Sequence, residues 1–259
     1  MSGPILHTGQ VRIPKIGFGT YALSGKTCIE AVTDAVNVGY RHFDTAQFYA
    51  NEHEVGKGIR ESGIKRNEVF ITTKIWPTRF NQVEKAAEES LAALGTDYVD
   101  LLLLHWPSSD RANRTATDAL AKVRERGLTR HIGVSNFSIQ QLEQALTQAP
   151  VCCNQVEYHP FMEQKNMLEF IRKHGLFLTA YSPLALGKAS YNKTLERIGQ
   201  RYQKSASQVA LRWLVQQEAV AAIPKAATHE KREENLNIFD FELTAEEMAL
   251  AGKIETLSY

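Results

Sequence analysis

The chain has 259 residues, is 43% hydrophobic and carries a formal net charge of +1, which fits an ordinary soluble globular protein with an ample core. With neither a basic excess nor an acidic tail, nucleic acid and anionic membrane are excluded as expected partners. The opening MSGPILHTGQVRIPKIG lacks the basic start and long apolar core of a signal peptide, and no segment reaches about 18 apolar residues, so a cytoplasmic location is expected. Cys28, Cys152 and Cys153 form no CxxC pair and are read as reduced packing residues.

ILHTGQVRIPKIG predicts a β-hairpin with TGQ as its turn. After it, β-rich runs alternate with helical patterns: KIGFGT, YRHFDT, EVFITTK, YVDLLLLH, RHIGVSN, CCNQVEY, LFLTAYS and AVAAIP. Eight such runs, each followed by a helix-length segment, read as βα units around a parallel sheet. SIQQ at 138, SASQ at 205 and TAEE at 244 fit the capping box at helix starts, while Gly39, Gly63, Gly95, Gly127 and Gly175 stand where helices should stop. No linker or composition shift divides the chain. The expected fold is therefore a single (β/α)8 TIM barrel domain over residues 1–259, with an N-terminal β-hairpin and a short C-terminal tail. An open doubly wound sheet would want a phosphate fingerprint after its first strand, and GFGTYAL lacks the third glycine.

In such a barrel the reactive face lies at the C-terminal ends of the strands. Asp44 follows YRHF, Lys74 follows VFITT, His105 follows YVDLLLL, Ser135 and Asn136 follow HIGV, and Tyr49 lies in the loop after Asp44. A strand-end aspartate is ordinarily a helix cap, a lone lysine a surface charge and a histidine in LLLLHWP a core residue. Those separate explanations give no reason for all three to meet on one rim. Together they form a set: Lys74 pulls the phenol of Tyr49 below its ordinary value of about 10, Asp44 holds the lysine in place, and a neutral His105 donates to a carbonyl oxygen as it becomes negative. The set suits carbonyl reduction. Acyl transfer would want a Gly-x-Ser-x-Gly elbow, and EHEVG at 52 lacks the second histidine of a zinc-binding HExxH, so no metal is expected.

These residues, with GFGTY, FDTAQFYANE, TTKIW, LLLHWP, GVSNF, NQVEYHP, AYSPL and IPKAATHEKREENL, resemble the aldo-keto reductase superfamily. The resemblance runs from about residue 5 to 254 and is greatest to the bacterial branch containing the 2,5-diketo-D-gluconate and methylglyoxal reductases. It implies NADPH-dependent reduction of small aldehydes and ketones, including 2-oxoaldehydes such as methylglyoxal and diketo sugar acids, by a cytoplasmic monomer. The implied catalytic tetrad is Asp44, Tyr49, Lys74 and His105, with Tyr49 as general acid. Ser135, Asn136 and Gln155 would surround the nicotinamide carboxamide and Tyr181 would stack on its ring. Ser182, Leu184 and Gly187 would follow the pyrophosphate, Lys225 and Lys231 the 2′-phosphate, and Glu234 and Asn235 the adenine. Tyr21, Trp76, Trp106 and His105 would line a shallow, open substrate pocket, because the loops after HWP and at the chain end are short.

Two departures bear on the coenzyme. The usual IPKS is IPKA here, so Ala226 cannot bond the phosphate, and Lys231 stands where arginine is commoner. NADPH preference should be eroded, with NADH accepted at lower affinity. A catalytically weak nicotinamide-binding scaffold or sensor is the alternative expectation. A barrel isomerase or lyase acting on phosphate esters would want a glycine-rich loop that SPLALGKA only faintly imitates.

Overall fold

A computed structural model describes residues 3–9 and 11–254. The chain opens with strands β1 (Ile5–Thr8) and β2 (Val11–Pro14), paired antiparallel from Ile5 opposite Pro14 to Thr8 opposite Val11. Alternation fixes their orientation, since Leu6, Val11 and Ile13 are buried while His7 and Arg12 face out. The hairpin is as expected, although Gln10 of the predicted TGQ turn lies outside the described residues, as does the predicted tail over 255–259.

Eight parallel strands follow: β3 (Phe18–Gly19), β4 (His42–Asp44), β5 (Phe70–Ile75), β6 (Val99–Leu104), β7 (Thr129–Ser135), β8 (Val151–Glu157), β9 (Phe177–Tyr181) and β10 (Val220–Ala222). Each pairs with its sequence neighbour, and the ends meet: Ile16 bridges Ala222, Gly17 N–H donates to the Ala222 carbonyl at 2.9 Å, and Gly19 N–H donates to that of Pro224 at 3.1 Å. The sheet thus curls into the predicted α/β barrel. Closure requires glycine at 19, because a Cβ there would lie 2.7 Å from the Ile223 carbonyl oxygen.

Helices α1 (Gly25–Val38), α2 (Glu52–Glu61), α3 (Val83–Leu94), α4 (Asp110–Glu125), α5 (Ile139–Gln148), α6 (Lys165–Lys173), α7 (Lys193–Gln200), α8 (Ala206–Gln216), α9 (His229–Leu236) and α10 (Ala245–Ala251) occupy the connections and the C-terminal segment. The boxes at Ser138, Ser205 and Thr244 form with both reciprocal bonds. Gly95 ends α3 at φ 66°, a conformation that few other residues adopt cheaply. Among the described residues no helix is long and apolar enough to cross a membrane.

The strands sort their side chains between two cores. On β6, Leu102 and Leu104 join the large cluster under the helices, whereas Leu101 and Leu103 point inward with Phe70, Cys153, Phe177 and Ala221. Leu6, Val11 and Ile13 of the hairpin complete that inner cluster and stop the N-terminal end of the barrel. Above this apolar floor the interior turns polar, and that change places the site.

Candidate active site

Strand β4 ends at Asp44, and the next residues turn through a short 3-10 helix (Gln47–Tyr49) before α2. Lys74 lies on β5, one strand away, with no exposed surface, and Asp44 is 1% exposed. The Lys74 ammonium donates to Asp44 Oδ1 at 2.5 Å, to the Thr45 carbonyl at 2.8 Å and to Tyr49 Oη at 3.4 Å. Gln155 Nε2 on β8 donates to the other Asp44 oxygen at 2.8 Å. Three N–H groups thus meet three acceptors, the arrangement of a charged lysine.

Burial pushes the Asp44 carboxyl up, and Lys74 and Gln155 offset only part of that rise, which leaves it above the ordinary carboxylate range. Burial pulls Lys74 down, but the attraction of Asp44 and the contact with Tyr49 outweigh it and leave the amine above its ordinary value. Lys74 is therefore an ammonium, with Asp44 as its carboxylate counter-ion.

The phenol differs from expectation. Burial raises the Tyr49 pKa, and Lys74, although it lowers it, does not overcome burial. Beside Lys74 in water the phenol would be lowered, but the fold removes that water. Tyr49 accordingly keeps its proton at neutral pH, and because its oxygen accepts from Lys74, that proton is left for a group in the cavity.

His105 follows β6 and continues its ladder, its N–H donating to the Ile75 carbonyl at 3.0 Å. Burial, reinforced by the Lys74 charge, lowers its pKa to about 3, so the imidazole is neutral. Its ring stands edge-on to Tyr49 at 5.6 Å and to Trp76 at 5.2 Å, and Nδ1 is buried without a hydrogen-bond partner.

Around this quartet opens a cavity of about 630 Å³, lined by Asp44, Tyr49, His105, Tyr21, Trp76, Trp106, Ser135, Asn136, Gln155, Tyr181, Ser182, Leu184, Gly187 and Lys225. Lys74 lies beneath its floor. Ser135 Oγ donates to the Gln155 carbonyl at 2.8 Å, Asn136 Nδ2 to the His105 carbonyl at 3.0 Å, and Tyr181 Oη to Asn136 Oδ1 at 2.9 Å. Asn136, Ser182, Ala185 and Leu186 all have positive φ, between 47° and 63°. Such strain gathers where a backbone is shaped to hold a ligand.

Lys231, Glu234 and Asn235 lie on α9, beyond the cavity lining. Lys231 pairs with Glu234 Oε2, and Glu234 Oε1 accepts from Ser205 Oγ. Asn235 is 2% exposed and its Oδ1 has no partner, an orphaned acceptor suited to an amino donor such as that of adenine. Ala226 is buried, its carbonyl accepting from Arg232 Nη1 at 3.1 Å.

Sequence reasoning passed over several lining residues, among them Thr20, Pro183, Ile223 and Pro224. Phe48 matters most: it is 55% exposed and its ring stacks on Trp76 at 4.2 Å. Its adjacency to Tyr49 in FDTAQFYANE is the one cue to it in the sequence, and the stacking itself is not encoded there. Leu186, 82% exposed, was equally unmarked.

The sequence profile of the Aldo/keto reductase family matches residues 15–255. Glyoxal reductase of Bacillus subtilis (strain 168) is 42% identical over 258 residues, covering 98% of this chain and 91% of its own. Methylglyoxal reductase DkgB of Escherichia coli O157:H7 is 38% identical over 242 residues, 91% of this chain and 90% of its own. The crystal structure of a putative 2,5-diketo-D-gluconic acid reductase B superposes with a TM-score of 0.94 at 46% identity, covering 98% of this chain and 91% of that one.

Proposed function

The chain belongs to the aldo/keto reductase family, and from that premise we propose that it is an NADPH-dependent reductase of small aldehydes and ketones in which Tyr49 is the proton donor. The observation that carries this reading is the sharing of one buried ammonium among Asp44, the Thr45 carbonyl and the Tyr49 hydroxyl, with a neutral imidazole across the cavity.

The residues present fit a nicotinamide dinucleotide. Ser135, Asn136, Gln155 and Tyr181 offer amides, a hydroxyl and a ring beside Tyr49, and the strained backbone over 182–187 offers a clamp. Lys225 supplies a cation on the cavity wall, and the orphaned Oδ1 of Asn235 awaits a donor. A reduced nicotinamide bound there would supply the hydride. Tyr49 passes its proton to the substrate oxygen as that oxygen becomes an alkoxide, and His105 donates a ring N–H to the same oxygen. Lys74 stabilises the phenolate left behind until solvent at the mouth reprotonates it. Asp44 keeps Lys74 charged and in place throughout.

Tyr21, Phe48, Trp76 and Trp106 make the substrate end aromatic and open, which suits methylglyoxal, phenylglyoxal and other small carbonyls, with diketo sugar acids as the more polar candidates. Ala226 has no hydroxyl for a 2′-phosphate. A hydrogen bond to a charged group contributes roughly 1.5–3 kcal/mol, about one to two decades of affinity, so NADPH preference is weakened without being reversed while Lys225 remains.

The test follows NADPH and NADH absorbance separately against methylglyoxal, phenylglyoxal, glyceraldehyde and 2,5-diketogluconate. Turnover should fall at least about 10²-fold in Tyr49→Phe, with NADPH binding by fluorescence nearly unchanged. Tight NADPH binding without turnover of any carbonyl would instead mark a scaffold or sensor.

A further inference from the structure

Asn51 occupies the N-cap of α2, the position at which asparagine ordinarily accepts a hydrogen bond from the first helical turn. Its side chain makes no such bond. The amide is wholly buried and is spent elsewhere: Nδ2 donates to the carbonyls of Thr20 and Leu23, each at 2.9 Å, and Oδ1 accepts from Thr45 Oγ1 at 2.6 Å. Both amide hydrogens and the oxygen are thus committed to two loops that flank the catalytic turn.

Those partners lead straight to the quartet. Thr45, whose hydroxyl Asn51 holds, gives its carbonyl to Lys74, and its N–H donates to the Thr72 carbonyl at 2.9 Å. Thr20 donates from both N–H and hydroxyl to the Asp44 carbonyl, at 3.1 and 2.9 Å. The loop that begins at Thr20 also carries Tyr21, whose ring stands edge-on to Tyr49 at 5.1 Å. Between Tyr49 and Asn51 the chain passes through Ala50 at φ 51°. A left-handed alanine is strained by its Cβ, and such residues persist where their surroundings over-determine them. Residues 45 and 51, the two ends of the turn, are bonded to each other, and Tyr49 is suspended between them.

The geometry points to Asn51 as a positioning residue: its amide locks the turn carrying Tyr49 to the barrel rim and to the Tyr21 loop, holding the phenol over Lys74. The inference rests on the assignment of Tyr49 as proton donor, and it extends the working site one residue beyond the quartet, to a group that touches no substrate. Losing the amide frees the turn, and a displacement of about 1 Å at a proton donor costs on the order of 10²-fold in rate.

The test uses Asn51→Ala and Thr45→Val, each shown folded by near-ultraviolet circular dichroism. With NADPH and methylglyoxal, kcat should fall about 10²-fold in Asn51→Ala, with KM and NADPH affinity little changed. Thr45→Val should act in the same direction but more weakly, and the double variant should be no worse than Asn51→Ala alone, since the one bond that Thr45→Val removes is among the three that Asn51→Ala has already broken. A second readout needs no turnover. Lys74, Asp44, Tyr21 and His105 face the phenol, and its pKa is raised chiefly by burial, so a freed turn lets Tyr49 form phenolate at lower pH, nearer an ordinary tyrosine. Phenolate absorbance of each variant, differenced against its Tyr49→Phe counterpart, reads that shift. Wild-type kcat together with wild-type phenolate titration in Asn51→Ala overturns the proposal; should that variant fail to fold, the same result in Thr45→Val does so. If the wild-type protein reduces no carbonyl, the proposed function fails by itself and the titration still decides the role of Asn51.

Discussion

The Asp44–Lys74 pair lends itself to a double-mutant cycle with Asp44→Asn and Lys74→Met. Its charged atoms lie 2.5 Å apart and the side chains are 2% and 0% exposed, so neither single variant can hydrate the partner it leaves behind. Stranding one buried charge costs about 3–5 kcal/mol, a large share of a whole-protein stability of about 5–15 kcal/mol. At roughly 2–4 °C per kcal/mol for a chain near this size, either single change should lower Tm by about 6–20 °C. The double variant strands no charge, so it should recover at least half of the summed loss, with Gln155 still bonded to the amide oxygen introduced at position 44. Urea unfolding followed by fluorescence gives midpoint and slope for all four proteins, and unchanged slopes license the comparison. Lys74→Met and the double variant should both remain poor reductases, because recovered stability does not restore a cation beside Tyr49. Losses that simply add across the cycle, or Asp44→Asn as stable as the wild type, would refute the account of the pair as two mutually dependent buried charges.

Two further outcomes are expected. His42, buried beneath the quartet with Nε2 on Thr72 Oγ1, and His105 both have pKa values lowered to about 3, by burial first and by Lys74 second. Between the unfolded value of about 6.5 and that limit the unfolded chain binds more protons than the native one, so stability should fall as pH falls, by about 1.4 kcal/mol per unit for each histidine; a urea midpoint that is flat from about pH 7 to about pH 5 would contradict this. Ala226→Ser should tighten NADPH about tenfold, one good hydrogen bond to a charged phosphate, and leave NADH unchanged, as fluorescence titration of each nucleotide will tell.

The strands were legible because they are apolar β runs, β4, β5, β6, β7 and β9 each preceded by a glycine (39, 63, 95, 127 and 175), a pattern carried by local chemistry alone. Three of the quartet were legible for the same reason: Asp44, Lys74 and His105 stand at the ends of such runs, as Ser135 does, and in a parallel barrel that placement brings them to one rim, with Tyr49 in the turn after Asp44. What stayed hidden depends on surroundings that no spacing encodes. Tyr49 reads as a lowered phenol when only Lys74 is considered and becomes a raised one when the water around it is removed. Phe48 and Asn51 sit within the same quoted motif, yet the stacking of one on Trp76 and the burial of the other between two loops arise only when β3, β4 and β5 lie side by side. The resemblance sets Lys231 on the 2′-phosphate and Glu234 with Asn235 on the adenine, but α9 pairs Lys231 with Glu234 and leaves Asn235 Oδ1 without a partner.

Among the described residues the N-terminal hairpin lines no part of the cavity, yet it works as an insulator beneath it. Leu6, Val11 and Ile13, packed against Phe70, Leu101 and Phe177, close the underside to water, and the Lys74 and Asp44 side chains are themselves 0% and 2% exposed. Charges interact several-fold more strongly in such a half-dry chamber than in water. A leak through that floor would weaken the grip of Lys74 on Tyr49 from below, with every residue of the mouth intact.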